Sequence, residues 1–461
     1  MQIAVAIALV AQLGSLPVIA GTGSRPLLAQ ARDQVDRVTP VSRDTVAARQ
    51  DKPDQAPTAP APAPDKQDRN TGFDPYLAGW SSEPTMEYGG LMLASVQRVS
   101  SRLLGGSAAG REHPGLAAAW EIPFAQFLSI VTHEVDGHGG RGREFDLQPR
   151  YGLDILRMTA YTGTLKPPKS RDEIISISGA GTEADTVLAN RLLADFARPG
   201  GAEASTFALA AFAKLDLTLY VSITAEPNSV TGPDFLTQFH EGNDIANYLV
   251  ARQAQRRNGS LDDLWNQVSV VDFDDPLLKK NYDAARVAAL WNALDPMLIA
   301  TGIQYARQHL GGGAARIQVP MLELGGGVGL TAGTRAFLAP SYVTRYADVY
   351  ARVPFGIGSV YVRDLDSSVA RTWGWGASFT VAPAGSRVSA NVTGERWDEP
   401  RSDEYGEGRR GWNVCGEVQV PIGPRFGFRL TVGRKTAGFV PGRPVPEGTY
   451  AGVGVLFSPW K

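Results

Sequence analysis

From Gly311-Gly312-Gly313 onward, apolar residues recur at every second position in segment after segment, and few folds accept that pattern. Leu322, Leu324, Val328 and Leu330 share one side, with Glu323 and the intervening glycines on the other. Val349 to Phe355, Trp373 to Val381, Trp412 to Val420, Phe426 to Val432 and Ala451 to Phe457 repeat the alternation, separated by Gly, Pro and Asp turns. Side chains of an extended chain alternate between two faces, so a period of two predicts strands. Eight or nine strands fit within about 145 residues at ordinary strand and turn lengths.

One face of these strands is apolar and turns aromatic near the ends at Trp373, Trp412, Phe426 and Trp460; the other carries Gly, Ser, Thr, Asn, Arg and Glu. A soluble sandwich would also alternate. Small inward-type residues, segments near the ~9–11 residues that cross a bilayer, and aromatics at the margins favour a lipid-facing wall. This region, 317–461, resembles a small bacterial outer-membrane β-barrel, although the chain ends Pro459-Trp460-Lys461 rather than on an aromatic residue. The resemblance implies outer-membrane lipid as a partner and an even strand number.

The rest of the 461-residue chain has a different character. Residues 1–31 read as an export signal: an apolar run from Ile3, then Val18-Ile19-Ala20 and Ala29-Gln30-Ala31 as small-residue cleavage patterns, without a basic residue ahead of the run. Residues 32–73 are a Pro/Ala-rich linker that has too little apolar surface to offset its ordering entropy. Residues 74–312 carry helical periodicity, with apolar helices expected around Ala208–Val221, Asp244–Arg252 and Ala284–Leu294, the last broken at Asp295-Pro296. The expected fold is α + β and multidomain: a mostly α-helical metal-hydrolase-like domain, then a C-terminal antiparallel β-barrel of about eight strands. A net charge of −2 argues against nucleic acid as a partner, and the single cysteine, Cys415, excludes both an internal disulfide and a cysteine-rich zinc cluster.

Two of only five histidines stand in Val131-Thr132-His133-Glu134-Val135-Asp136-Gly137-His138. Imidazole is a common ligand for transition metals, and a carboxylate beside it can act as general base. The histidines are five apart rather than four, which on a regular helix at about 100° per residue separates them by roughly 140°. An inserted residue of the π-bulge kind would bring them together, and Gly137 supplies backbone freedom for it. Pro123 to Thr132 reads as the start of the buried helix carrying them.

His133, Glu134, Gly137 and His138 match the His-Glu-x-x-x-His signature that the dipeptidyl peptidase III zinc peptidases carry, over about six residues and no further. The resemblance implies one zinc ion on His133 and His138, Glu134 as general base, and a downstream glutamate as third ligand. Glu183 stands where that ligand would be, opening an expected helix behind Thr182; Glu144 and Glu241 are rivals, and the doubled acidic pattern of that family is absent. His240 is a candidate oxyanion-stabilising or ligand-orienting group. Arg141 and Arg143 are expected to face solvent or pair with Glu144. The function expected is that of an exported zinc metallopeptidase of the cell envelope, acting on a peptide or protein substrate, with its helical domain on the periplasmic side of the outer membrane. The alternatives are a zinc esterase or amidase and a non-enzymatic membrane protein with a helical binding module.

Overall fold

A computed structural model describes residues 76–80, 86–105, 114–154, 159–256, 271–311, 316–381, 388–401, 408–422 and 426–457. The expected signal, linker and C-terminal Trp460 lie outside them. The described residues pack as one compact unit. Strand β1 (Tyr76–Trp80) comes first, then helices α1 (Met86–Gly105) and α2 (Pro114–Val131), a π-helix (Thr132–His138) and α3 (Gly139–Glu144). A hairpin, β2 (Pro149–Asp154) and β3 (Thr159–Thr164), precedes α4 (Arg171–Ala197). Helices α5 (Phe207–Ile223), α6 (Gly232–His240), α7 (Asp244–Arg256), α8 (Pro276–Ala293) and α9 (Pro296–Gly311) follow, with a short β4 (Ala202–Glu203) pairing β5 (Arg316–Ile317).

The three apolar helices expected from the periodicity are α5, α7 and α8, and α8 does stop before Asp295-Pro296. Asp275 caps α8, its carboxylate accepting from Leu277 N. Two boundaries differ from expectation. Pro123 lies inside α2, which begins at Pro114. Residue 183 opens no helix: α4 starts twelve residues earlier, where Ser170 accepts from Glu173 N. Ala204–Ile223 is long and apolar enough to cross a membrane, yet its centre is core: Leu209, Ala213 and Leu217 are buried, and the fully buried Lys214 pairs with Asp295 at 2.8 Å.

The alternating segments form β6 (Leu322–Gly325), β7 (Val328–Leu338), β8 (Tyr342–Val353), β9 (Gly356–Ser367), β10 (Arg371–Val381), β11 (Ser389–Asp398), β12 (Arg410–Pro421), β13 (Phe426–Lys435) and β14 (Gly448–Phe457). They pair as an antiparallel meander, and β1 adds to β14 from the other end of the chain. The expected barrel is corrected here: the ten-stranded sheet is open, with β1 and β6 as its edges. The reason lies at β7, whose free edge beyond β6 is capped by helices instead of strands. The Asn292 side chain on α8 accepts from Ala336 N at 2.7 Å and donates to Ala336 O at 3.1 Å, and Lys214 donates to Thr334 O. Backbone groups that closure would have paired are already satisfied. Replacing the fully buried Asn292 by leucine leaves a buried N–H and C=O unmet, and should cost about 2–4 kcal/mol in denaturant unfolding; a cost under about 1 kcal/mol would mean the edge does not depend on this cap.

The two faces of the sheet are inverted relative to a soluble sandwich. Inward positions carry buried Arg363, Glu395, Glu417, Arg429 and Lys435. These meet partners among themselves and on the helices: Arg429 pairs with Glu417 and lies 4.7 Å from the Tyr88 ring of α1, and Arg191 of α4 reaches Glu417 at 3.5 Å. Outward positions are apolar and exposed, as at Val360 (59%), Trp375 (64%) and Val392 (60%).

Candidate metal centre

The widened turn predicted from the five-residue spacing is present. Thr132–His138 is a π-helix between α2 and α3, and Gly139 N–H donates to Glu134 O, five residues back. Its close seat on α4 depends on glycine. A Cβ on Gly137 would come 2.6 Å from Ala180 O, and a Cβ on Gly181 would come 2.2 Å from His133 Nε2.

Both imidazoles turn into one buried spot. His133 Nε2 lies 3.0 Å from His138 Nε2, and Asp244 Oδ2 lies 2.8 Å from the first and 3.1 Å from the second. The Nδ1 atoms face outward from this triangle. His138 Nδ1 donates to Ile177 O at 2.7 Å, and His133 Nδ1 donates to Asp216 Oδ2 at 2.9 Å. A carbonyl and a carboxylate can only accept, so each Nδ1 carries a proton, and a ring that is otherwise neutral turns the lone pair of its Nε2 into the triangle. With both rings neutral, three acceptors face one another and repel unless a cation lies between them; without one, a proton on Nε2 serves the Asp244 carboxylate in its place.

The surrounding charges favour positive charge at this spot. Burial opposes protonation of His133, but Tyr220, Asp216 and Asp244 outweigh it and hold its pKa well above the ordinary imidazole value. Burial likewise opposes protonation of His138, and Asp244 reverses the effect. Burial would raise Asp244, yet the two histidines hold its carboxyl well below the usual range. Behind His133, burial and the neighbouring Asp216 push Asp185 well up, and Ser129 Oγ donates to its Oδ2 at 3.1 Å. Tyr220 stacks flat on His133, with centroids 4.9 Å apart.

Glu134 is buried beside the pair, and its carboxylate lies with the two imidazoles inside a 4.8 Å cluster able to hold a metal ion. Thr162 Oγ1, on β3, sits 2.7 Å from Glu134 Oε2 and 2.9 Å from its carbonyl oxygen. The hairpin thereby fixes the orientation of the carboxylate. Asp136, in the same turn, is pushed up to about 7 by burial, against the pull of Arg143.

The structure places the remaining sequence candidates elsewhere. Glu183 is buried in mid-α4, where Arg141 Nη2 donates to both of its oxygens at 2.6 and 2.9 Å and Gly442 N donates to Oε1 at 2.7 Å. It has an ion pair to serve, and Asp244 occupies the third corner that Glu183 was expected to fill. Glu144 pairs with Arg141 and accepts from Val445 N. Glu241 is exposed beyond α6. His240 is exposed in the last turn of α6 with its ring against Phe239, apart from the buried cluster. Arg141 is buried rather than solvent-facing, whereas Arg143 is exposed and donates to Tyr151 and Val135 O.

Three functional candidates escaped the sequence reading. Asp216 and Tyr220 sit in the helix read as plain core. Asp244 begins α7, four residues after the His240 that drew attention instead. Comparison with protein families, with curated proteins and with solved structures gives no match for this chain.

Proposed function

We propose that this chain is a zinc-dependent hydrolase of the cell envelope, with peptide amide bonds as the preferred substrate. The observation that carries the reading is the Nε2–Nε2–Oδ2 triangle with edges of 3.0, 2.8 and 3.1 Å. Ligands ~2.0–2.1 Å from a tetrahedral ion lie about 3.3 Å apart, so the triangle is within about half an ångström of one face of such a site. Two imidazoles and one carboxylate are a donor set that suits zinc and leaves a fourth position free.

His133, His138 and Asp244 would hold the ion, while Asp216 and the Ile177 carbonyl keep each ring in the tautomer that presents Nε2. A zinc ion bound there supplies Lewis acidity to a water and to the substrate carbonyl. Glu134 takes the proton from the attacking water as the new C–O bond forms, and delivers it to the leaving nitrogen as the C–N bond breaks. Thr162 holds the Glu134 carboxylate for both transfers. Tyr220, flat against His133, closes one side of the site to bulk water.

Glu134→Gln is the decisive variant. It should retain about one equivalent of zinc and lose hydrolysis of a peptide library by at least about 10²-fold. Assay of the same protein on simple esters and amides separates a peptidase from an esterase or amidase. A purified full-length protein that takes up no zinc, and in which His133→Ala changes nothing, would instead support a binding module.

A further inference from the structure

The outward face of β10–β14 is banded along the strands. Over most of its length it is apolar: Val381, Ala390, Val418, Leu430 and Val453 are successive cross-strand neighbours. Toward the end where β10 and β12 begin and β11 and β13 finish, the outward residues become Trp373, Trp375 and Trp412, interleaved with Arg371, Arg396, Arg410 and Arg434. Trp375, Arg396 and Trp412 are direct cross-strand neighbours, and Arg371 lies 5.1 Å over the Trp373 ring. Among the described residues, Asp364 and Asp398 pair with Arg371 and Arg410, Asp366 also acts on Arg371, and Glu447 is exposed at the same end. At the opposite end the described outward residues of β10, β12 and β13 are apolar, among them Phe379, Val420 and Phe426.

We propose that this face is a lipid-facing wall whose Trp/Arg end rests in the headgroups of an anionic membrane. A protein-binding patch would be apolar at its centre and polar around its whole margin. Among the described residues the polar margin lies at one strand end, the order that an aromatic and basic interfacial girdle takes. The inward charges meet helices rather than water, so the chain has no other polar face to offer the solvent in this part of the sheet.

The wall also locates the metal centre. The loop joining β13 to β14 leaves from the Trp/Arg end, and it is bound to α3, which continues the π-helix, and to α4, which packs on it: Gly442 N to Glu183, Val445 N to Glu144, and Arg443 O to Arg141 at 2.8 Å. The hydrolytic site therefore sits at the headgroup end of the wall, and its substrates are those presented at that membrane surface. This last step rests on the hydrolase reading; the wall itself does not.

The test uses the full chain and lipid vesicles, with no metal or activity readout. Phosphatidylcholine vesicles with brominated acyl chains should quench tryptophan emission, and Trp373→Phe/Trp375→Phe/Trp412→Phe should remove most of the quenching while buried Trp397 still emits. Adding phosphatidylglycerol should tighten vesicle binding, and Arg396→Gln/Arg434→Gln should weaken that anionic preference by about tenfold or more. A monodisperse monomer in detergent-free buffer with unquenched tryptophan overturns the wall. So does a dimer that hides these tryptophans and ignores vesicles. Equal binding to neutral and anionic vesicles overturns the headgroup assignment.

Discussion

Asp244→Ala is expected to strip the metal from the purified protein, whereas Glu183→Gln should leave its stoichiometry intact. The carboxylate of Asp244 is within 3.1 Å of both Nε2 atoms, and removing it opens the site to two imidazoles. The loss of affinity should exceed the 10–100-fold that follows from disturbing an outer partner of a ligand. Asp216→Asn supplies that smaller step as an internal gauge, because Asp216 touches only the far nitrogen of His133 in the triangle. Competition with a chromophoric chelator at fixed pH ranks the three. If Glu183→Gln releases zinc and Asp244→Ala does not, the assignment of the third corner is wrong.

Glu183→Ala should instead unfold the protein more readily, by about 3–5 kcal/mol. Arg141 and Glu183 are each 2% exposed, and the change leaves a buried guanidinium with Glu144 as its remaining carboxylate and takes the acceptor from Gly442 N. Breaking a buried pair is costly chiefly because of the charge left behind. The double change Arg141→Ala/Glu183→Ala should therefore lose less stability than Arg141→Ala and Glu183→Ala summed. Chemical denaturation of the four proteins closes the cycle. Additive losses would show that the pair is not coupled.

Much of this was legible locally. The five-residue spacing with Gly137 pointed to a widened turn, and strict alternation pointed to strands with one apolar face. What escaped depends on contacts distant in sequence. Asp244 reaches His133 across 111 residues, and an acidic residue opening a helix reads as an ordinary first-turn charge. Gly179-Ala180-Gly181 reads as a break before a helix, but these residues lie within one. Their smallness serves the approach of Gly137 and His133, which no local pattern records. Closure into a barrel was expected from strand length, small inward residues and aromatics at the margins; that Asn292 and Lys214 satisfy β7 is visible only after folding. In β9 the alternation is locally interrupted, because Asp364 and Asp366 take outward positions where they pair with Arg345.

The added residue in the π-helix also sets a rotational phase. Upstream, α2 turns Ala125 and Leu128 into the core shared with α4 and α5; downstream, α3 turns Arg141 toward Glu183 and the β13–β14 loop. Without the extra residue the two flanks would form one rod of fixed twist, and a rod that seated α2 would point Arg141 elsewhere. The insertion thus works as a coupling between two misaligned shafts. The same residue that brings the imidazoles into register also lets the helical core and the sheet each keep their own alignment.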